Sequence, residues 1–410
     1  MIDDATHRSR TTHITILFCF VAALCEGFDI QAAGVAAAGI RHDFQPTAEQ
    51  LGHFFSAGNF GLLLGALIGG RLSDRLGRKA ILVGSIAAFG LFSLITSQTW
   101  SAESLTWMRA VTGMGLGGAM PNLIALAAES STPGSRNGSI AITYIGMPIG
   151  GATVSLIASF TTIEHWRWLF LIGGGAPLLI AAAMAARMPS TRSPEAFDRL
   201  SPRESTPANA IRSMFSASRA ARTLLLWLGF FLMQLTLQVM LNWLPLLLQA
   251  RGLTKSAAAV AQVGFNVGGA AGALLIGVLL DRRARLSSIA TTAIALPSLL
   301  FVLATTPERS TWLLVLPLFL GGGILAFQVI LYGVADKVYP PSARGAGLGT
   351  AVGVGRLGAI VGPVFAAYLL TAGRTPTQVL TGVLPLVIVC GMCVAILGWR
   401  AFRLARLESA

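Results

Sequence analysis

Charged residues lie near the centres of two otherwise apolar segments of the 410-residue chain. Glu26 and Asp29 lie in a segment near the N-terminus, and Arg356 lies in one near the C-terminus. An Asp, Lys or Arg at the centre of a helix in lipid costs roughly 2.5–3.5 kcal/mol. These side chains must therefore face a polar cavity or one another, which predicts a functional site.

The two acidic residues are suited to proton binding. Glu26 and Asp29 are three residues apart, so a helix projects them from the same side. Two carboxylates this close in a medium of low dielectric constant do not both ionise easily. At least one of them is therefore predicted to load and release a proton, as a proton-coupling site requires.

Arg356 supplies the opposite charge. A guanidinium stays protonated and can bind a carboxylate through two parallel hydrogen bonds. We therefore predict that Arg356 binds an anionic substrate. The alternative is a permanent ion pair between Arg356 and Asp29 that only holds the two halves of the protein together.

The composition indicates which elements carry these residues. Hydrophobic residues make up 54% of the chain and charged residues 11%, against about 25% charged residues in an average soluble domain. This composition excludes a water-soluble globule. Twelve apolar segments between Ile14 and Trp399 are each about as long as a membrane span, so the predicted fold is an all-α membrane protein with twelve transmembrane helices.

The positive charge reports membrane topology rather than nucleic-acid binding. The formal net charge is +13, with 30 Lys and Arg residues, and most of them lie in alternate loops. If the N-terminus is cytoplasmic, the loops on the opposite side of the membrane contain only six Lys and Arg residues. They are Arg41, Arg167, Arg251, Lys255, Arg309 and Arg374. The positive-inside rule then places both termini in the cytoplasm.

A polar stretch rich in Arg and Pro, residues 189–222, divides the chain near its centre. We interpret it as a cytoplasmic linker between two six-helix bundles, 14–188 and 223–399. Residues 1–13 and 400–410 are interpreted as cytoplasmic tails. An internal repeat supports the division, because Gly70, Asp74 and Arg75 recur at one constant spacing as Gly277, Asp281 and Arg282.

Three motifs resemble those of the major facilitator superfamily. The loop pattern Gly70-xxx-Asp74-Arg75-x-Gly77-Arg78-Lys79 resembles its cytoplasmic signature, and Arg109-xxx-Gly113-x-Gly115-x-Gly117 resembles its fourth-helix motif. Glu26-Gly27-Phe28-Asp29 is similar to the Asp-Gly-aromatic-Asp pattern of the aromatic acid:proton symporter branch, with Glu in the first position. The resemblance implies two pseudo-symmetric six-helix bundles in the bacterial inner membrane.

The resemblance also implies residue roles. Arg109 would relay protons together with Glu26 and Asp29, although an arginine near the end of a span can also extend outward to the membrane surface. Arg356 matches a substrate-binding arginine of the eleventh helix. The loop residues implied to form a conformational latch between helix ends are Gly70, Asp74, Arg75, Gly77 and Arg78, with Asp281 and Arg282 in the repeat.

Other polar and aromatic residues in the spans are candidates for contact with a substrate ring or its hydroxyl. The alternative for each polar one is a helix–helix hydrogen bond, and for each aromatic one core packing or a place in an interface belt. The predicted set is Gln31, Tyr144, Gln238, Asn242, Trp243, Phe265, Phe327, Gln328 and Tyr332. Asn59, Asn122, Gln234 and Asn266 have the same two interpretations.

The charged residues predict a proton-coupled transporter of an anion that works by alternating access, and the resemblance implies that it imports an aromatic carboxylate such as 3-(3-hydroxyphenyl)propionate. The sequence contains no ATP-binding or hydrolase motif and no histidines with metal-ligand spacing, so we predict no metal, no cofactor other than protons, and no enzymatic activity. One chain with two halves suffices as a monomer.

Two alternatives stay open at this stage. A proton-driven exporter is one, because the stretch Gly146 to Gly151 partly resembles the fifth-helix motif GPxxGG of drug antiporters. A transporter-like nutrient sensor is the other, although the short tails offer no signalling domain.

Overall fold

The computed structural model describes residues 2–131, 135–188, 214–216, 219–281, 285–339 and 343–407. It divides into two compact units, Met1–Leu200 and Ser201–Ala410. Within the described ranges the regular structure is helical, and twelve helices are long and apolar enough to cross a membrane. The predicted all-α fold with twelve transmembrane helices is confirmed.

Within its described residues the first unit forms six long helices and one short 3-10 helix at Ile163–His165. The long helices are α1 (Ile2–Phe44), α2 (Ala48–Leu76), α3 (Arg78–Thr96), α4 (Ala102–Ser130), α5 (Arg136–Phe160) and α6 (Arg167–Arg187). Helix α1 begins at Ile2 and so includes the stretch predicted as an N-terminal tail.

The described residues of the second unit form six long helices as well. They are α7 (Ala220–Ala250), α8 (Lys255–Asp281), α9 (Arg285–Thr305), α10 (Trp312–Val338), α11 (Arg344–Thr371) and α12 (Pro376–Leu407). Most of the predicted linker, 189–222, and Arg282 lie outside the described residues.

Side-chain caps determine where several helices begin. Thr47 and Gln50 form a reciprocal capping box at the start of α2, with Thr47 N donating to Gln50 Oε1 (2.9 Å) and Gln50 N donating to Thr47 Oγ1 (3.2 Å). Ser101 and Ser104 form a second box at the start of α4. These caps satisfy backbone N–H groups that the first helical turn leaves unbonded.

Corresponding helices of the two units pack in the same way. Helix α2 packs on α4 and α1 packs on α5 in the first unit, while α8 packs on α10 and α7 packs on α11 in the second. This correspondence agrees with the internal repeat seen in the sequence.

Glycines bring the backbones of these paired helices into direct contact. A Cβ atom added at Gly27 of α1 would lie 2.0 Å from the carbonyl oxygen of Met147 on α5. A Cβ atom added at Gly358 of α11 would lie 2.1 Å from the carbonyl oxygen of Phe231 on α7. Small residues at helix crossings are the usual means of close packing in membranes, and these two crossings hold the helices that carry Glu26, Asp29 and Arg356.

Substitution of Gly27 by Ala is expected to lower the free energy of unfolding of the first unit by about 1–3 kcal/mol, because the added methyl group overlaps the α5 backbone. The measurement is the midpoint of thermal unfolding in detergent. Gly84→Ala in α3 is the matched control, since no atom lies within 4 Å of the added Cβ there. A midpoint as high for Gly27→Ala as for Gly84→Ala would show that the α1–α5 contact is not tight.

Candidate functional site

A buried ion pair joins α1 to α4 in the first unit. Arg109 Nη1 donates to Asp29 Oδ2 at 2.5 Å, and Arg109 Nη2 donates to the backbone carbonyl oxygens of Asp29 (2.8 Å) and Ile30 (3.3 Å). Asp29 is 0% exposed and Arg109 is 4% exposed. One guanidinium therefore binds both the carboxylate and the backbone of α1.

Ser93 completes the environment of the Asp29 carboxylate. The Ser93 hydroxyl of α3 donates to Asp29 Oδ1 at 2.8 Å and also lies 3.4 Å from the carbonyl oxygen of Phe170 on α6. Each Asp29 oxygen thus accepts a hydrogen bond, one of them from a positive charge. Side chains from α3 and α4 therefore hold the two oxygens of this carboxylate.

The structure excludes one of the two interpretations of Arg109, while its role in proton relay stays a prediction. Its side chain points into the bundle and binds Asp29 rather than extending outward to the membrane surface. Gly58 of α2 makes room for it, since a Cβ atom added there would lie 3.1 Å from Arg109 Nε. The physical reason is that a buried carboxylate compensates the charge of a guanidinium that would otherwise face lipid.

Glu26 is the second buried carboxyl group of this region. It lies one turn before Asp29 on α1 and is 2% exposed. The structure therefore brings together the three residues predicted for proton coupling, Glu26, Asp29 and Arg109, and adds Ser93. A serine in an apolar span has no distinctive spacing, so the sequence offered no signal for its role.

The second unit has a different group of polar and aromatic residues. Tyr332 on α10 lies within hydrogen-bonding reach of the Gln328 side chain and within the electrostatic influence of Arg356 on α11. Gln328 Nε2 donates to Gln234 Oε1 on α7 at 3.2 Å. Three of the predicted substrate contacts, Arg356, Gln328 and Tyr332, are thus neighbours.

Phe230 is an aromatic member of this group that the sequence did not single out. Its ring lies 5.3 Å from that of Tyr332, measured between centroids, with an interplanar angle of 81°. Nothing in the sequence distinguishes it from the other phenylalanines of the spans. Its position follows from the packing of α7 against α10 and α11.

Several other predicted substrate contacts have structural partners. Asn242 Nδ2 donates to the carbonyl oxygen and to Oε1 of Gln238, at 2.9 and 3.0 Å, within α7. Trp243 Nε1 donates to the carbonyl oxygen of Pro363 on α11 at 3.1 Å. Phe265 and Phe327 are both buried in the core of the second unit. These arrangements favour the packing interpretation for all five residues.

The remaining candidates differ in whether they have a hydrogen-bond partner and in whether they are buried. Asn59, Asn122 and Asn266 each donate to a carbonyl oxygen four residues earlier in their own helix. Tyr144 is exposed on α5. Gln31 is buried on α1, and its Nε2 has no hydrogen-bond partner among the described residues.

Gln262 on α8 is a polar residue that sequence reasoning missed. It is fully buried, and both Oε1 and Nε2 lack a hydrogen-bond partner within the described part of the chain. Its only sequence signal is a glutamine within an apolar span.

Most of the predicted latch residues lie near the C-terminal end of α2, at the connecting residue Gly77 or at the start of α3. Gly77 has φ = 84°, in the left-handed region that favours glycine. Arg78 forms an ion pair with Glu129 at the end of α4, and Lys79 Nζ donates to the carbonyl oxygens of Ala185 (3.1 Å) and Met188 (2.5 Å) at the end of α6. These contacts tie α3 to its neighbours within the first unit.

The other latch residues have fewer described features. A Cβ atom added at Gly70 would meet nothing within 4 Å, and Arg75 is exposed. Asp281 ends α8. The side chains of Asp74 and Asp281 lie outside the described residues, so a latch between helix ends stays a prediction.

Comparisons with known proteins cover almost the whole chain. The family model described as "Major Facilitator Superfamily" matches residues 19–363. The 3-(3-hydroxy-phenyl)propionate transporter of Escherichia coli (strain K12) is 39% identical over 95% of this chain and 95% of the relative. The 4-hydroxybenzoate transporter of Pseudomonas aeruginosa is 30% identical over 90% of this chain and 89% of the relative.

The fold also matches solved structures. A bacterial homologue of the human lysosomal transporter Spinster superposes with a TM-score of 0.77, covering 96% of this chain and 98% of that one. The sequence identity is 16%, so this likeness concerns the fold alone.

Proposed function

Because the chain belongs to the major facilitator superfamily, we propose that it imports an aromatic carboxylate together with protons, by alternating access. The resemblance to the aromatic acid branch is confirmed by relatives at 39% and 30% identity, and this membership makes the chain a transporter-family protein rather than an enzyme. The names of both relatives support an aromatic acid as substrate.

The buried pair of Asp29 and Arg109 carries the proposal of proton coupling. Removing two charges from water costs several kcal/mol per ion, which their attraction only partly offsets. Ionisable groups inside a membrane protein therefore mark ion and substrate pathways more often than they stabilise the fold. Here the pair lies beside a second buried carboxyl group, Glu26.

We propose different tasks for the two carboxyl groups. We assign Asp29 to the ion pair, because Arg109 and Ser93 each donate a hydrogen bond to one of its carboxylate oxygens. A second negative charge at Glu26, one turn away in a buried setting, is disfavoured by desolvation and by ionised Asp29. Glu26 is therefore the proposed proton carrier, and Asp29 with Arg109 holds the charge that Glu26 responds to.

Coupling follows from the cost of burying net charge. When Glu26 is protonated and an anionic substrate is bound to Arg356, the protein can close over the substrate with little buried net charge. Substrate without a proton, or a proton without substrate, leaves a buried charge uncompensated. Only the jointly loaded or the empty protein then changes its access state, which couples the two fluxes.

The proposed location of the protein is the bacterial inner membrane, with both termini in the cytoplasm. Relatives that are bacterial transporters and twelve apolar helices support the inner membrane. The concentration of Lys and Arg in alternate loops supports cytoplasmic termini.

Transport by purified protein in liposomes tests this function. Acidification of the outer solution is expected to drive accumulation of labelled 3-(3-hydroxyphenyl)propionate, and a protonophore is expected to abolish it. Glu26→Gln is expected to retain substrate binding and to lose the dependence on the proton gradient. Expulsion of the acid under the same gradient would support the exporter alternative, and lack of any aromatic acid flux would overturn the proposed function.

A further inference from the structure

Helices α7 and α10 are joined by two side-chain pairs, one above the other. Phe230 and Gln234 are four residues apart on α7, and Gln328 and Tyr332 are four residues apart on α10, so each pair of residues lies on one helix face. Phe230 contacts Tyr332, with 5.3 Å between ring centroids, and Gln328 donates to Gln234 at 3.2 Å. An aromatic pair thus lies directly beside an amide pair.

Helix α11 brings Arg356 to the same place. A Cβ atom added at Gly355 would lie 3.4 Å from the carbonyl oxygen of Phe230, so α11 approaches α7 closely beside this ring. The Tyr332 hydroxyl interacts electrostatically with the charge of Arg356, and it lies within hydrogen-bonding reach of the Gln328 side chain. Tyr332 therefore lies beside the amide pair and within the electrostatic influence of the Arg356 guanidinium.

The amide pair has hydrogen-bonding capacity left over. Gln328 uses Nε2 on Gln234, while its Oε1 is shielded from solvent and accepts no hydrogen bond from the described residues. A shielded acceptor without a donor is costly, and the cost disappears when a hydroxyl group donates to it. A carboxylate or an apolar ring edge has no proton to donate there.

We propose that Gln328 binds the ring hydroxyl of a hydroxylated aromatic acid whose carboxylate is bound by Arg356. The phenolic hydroxyl donates to Gln328 Oε1 and accepts from the hydroxyl of Tyr332. The Phe230–Tyr332 pair provides an apolar wall beside the substrate ring. This inference rests on the proposed function and narrows its substrate class to aromatic acids that carry a hydroxyl on the ring.

Selectivity is the property that separates this role from a structural one. A site built to bind a hydroxyl rejects an analogue without it, because the buried polar groups then stay unpaired. The unaltered protein is therefore expected to prefer 3-(3-hydroxyphenyl)propionate to 3-phenylpropionate by about tenfold or more in uptake efficiency. Gln328→Met, which has similar volume and no amide, is expected to reduce the preference to about twofold or less while 3-phenylpropionate uptake persists.

The experiment measures uptake of both labelled acids by the full-length protein in liposomes, for the unaltered chain, Gln328→Met and a control. Gln249→Met is the matched control, because Gln249 Nε2 donates to Pro245 within its own helix at 3.2 Å, and it is expected to retain the full preference. If Gln328→Met does not fold, Tyr332→Phe decides by the same criterion, since it keeps the ring contact with Phe230 and removes only the hydroxyl.

Each outcome bears on the inference. An unchanged preference in Gln328→Met, or in Tyr332→Phe where that variant has to decide, would overturn it. Equal uptake of both acids by the unaltered protein would also overturn it while the proposed function stands. Uptake of neither acid by the unaltered protein would overturn the proposed function itself, and this inference with it.

Discussion

Replacing Asp29 by Asn is expected to abolish proton-driven uptake and to lower the free energy of unfolding by about 3–5 kcal/mol. The change leaves the Arg109 guanidinium buried beside a neutral side chain, since Arg109 binds Asp29 at 2.5 Å and both residues are shielded from solvent. Uptake is measured in liposomes, and stability is measured by thermal unfolding of the purified protein in detergent.

A double variant separates the two effects of this change. Asp29→Asn combined with Arg109→Gln removes both charges, so it is expected to recover a large part of the lost stability. Uptake is expected to stay absent, because the charge to which Glu26 responds is gone. Glu49→Gln, at an exposed acidic residue in the first turn of α2, is the control and should change neither property. Full proton-driven uptake by Asp29→Asn would contradict the assigned role.

Replacing Arg356 by Ala is expected to weaken substrate binding by about 2–5 kcal/mol, or at least roughly 30-fold, because the substrate carboxylate loses its charged partner. Arg356→Lys keeps the charge but loses the planar fork, so it is expected to recover only part of the affinity. Substrate affinity is measured by titration of the purified protein, and uptake is measured in liposomes.

The stability of the Arg356 variants distinguishes them from those of Asp29. Arg356 is only half-buried, so its loss is expected to change the unfolding midpoint little. Arg374→Ala, at an exposed arginine between α11 and α12, is the matched control and should bind substrate normally. Unchanged affinity in Arg356→Ala would exclude Arg356 as the anchor of the carboxylate.

The charged residues of the spans are divided between the two units, and the sequence indicated their positions but not their partners. Arg109, Arg356 and Asp29 were all recognisable as charges within apolar segments, yet their spacing did not say which guanidinium meets the carboxylate. The structure gives Asp29 a partner in its own unit, Arg109. The Asp29 carboxylate thus has a compensating charge that does not depend on Arg356.

The contact between Gln234 and Gln328 is a second pairing that the sequence could not predict. Gln234 and Gln328 could be read as two of many polar residues in the spans, each with a substrate-binding and a structural interpretation. Their contact, at 3.2 Å, depends on α7 and α10 packing with a particular rotation. Asn242 and Gln238 looked equally promising in the sequence, but they bind each other within one helix.

The sequence alone determined the twelve spans, the polar division at residues 189–222 and the charged side chains within spans that need partners in lipid. These properties depend on local composition, because the cost of placing a side chain in hydrocarbon is a property of that side chain and its segment. The tertiary structure decided which of these residues touch. Ser93 meets Asp29, and Tyr332 meets Phe230, only because glycine-lined helix crossings set the distance and rotation of neighbouring helices, and these depend on residues far apart in the chain.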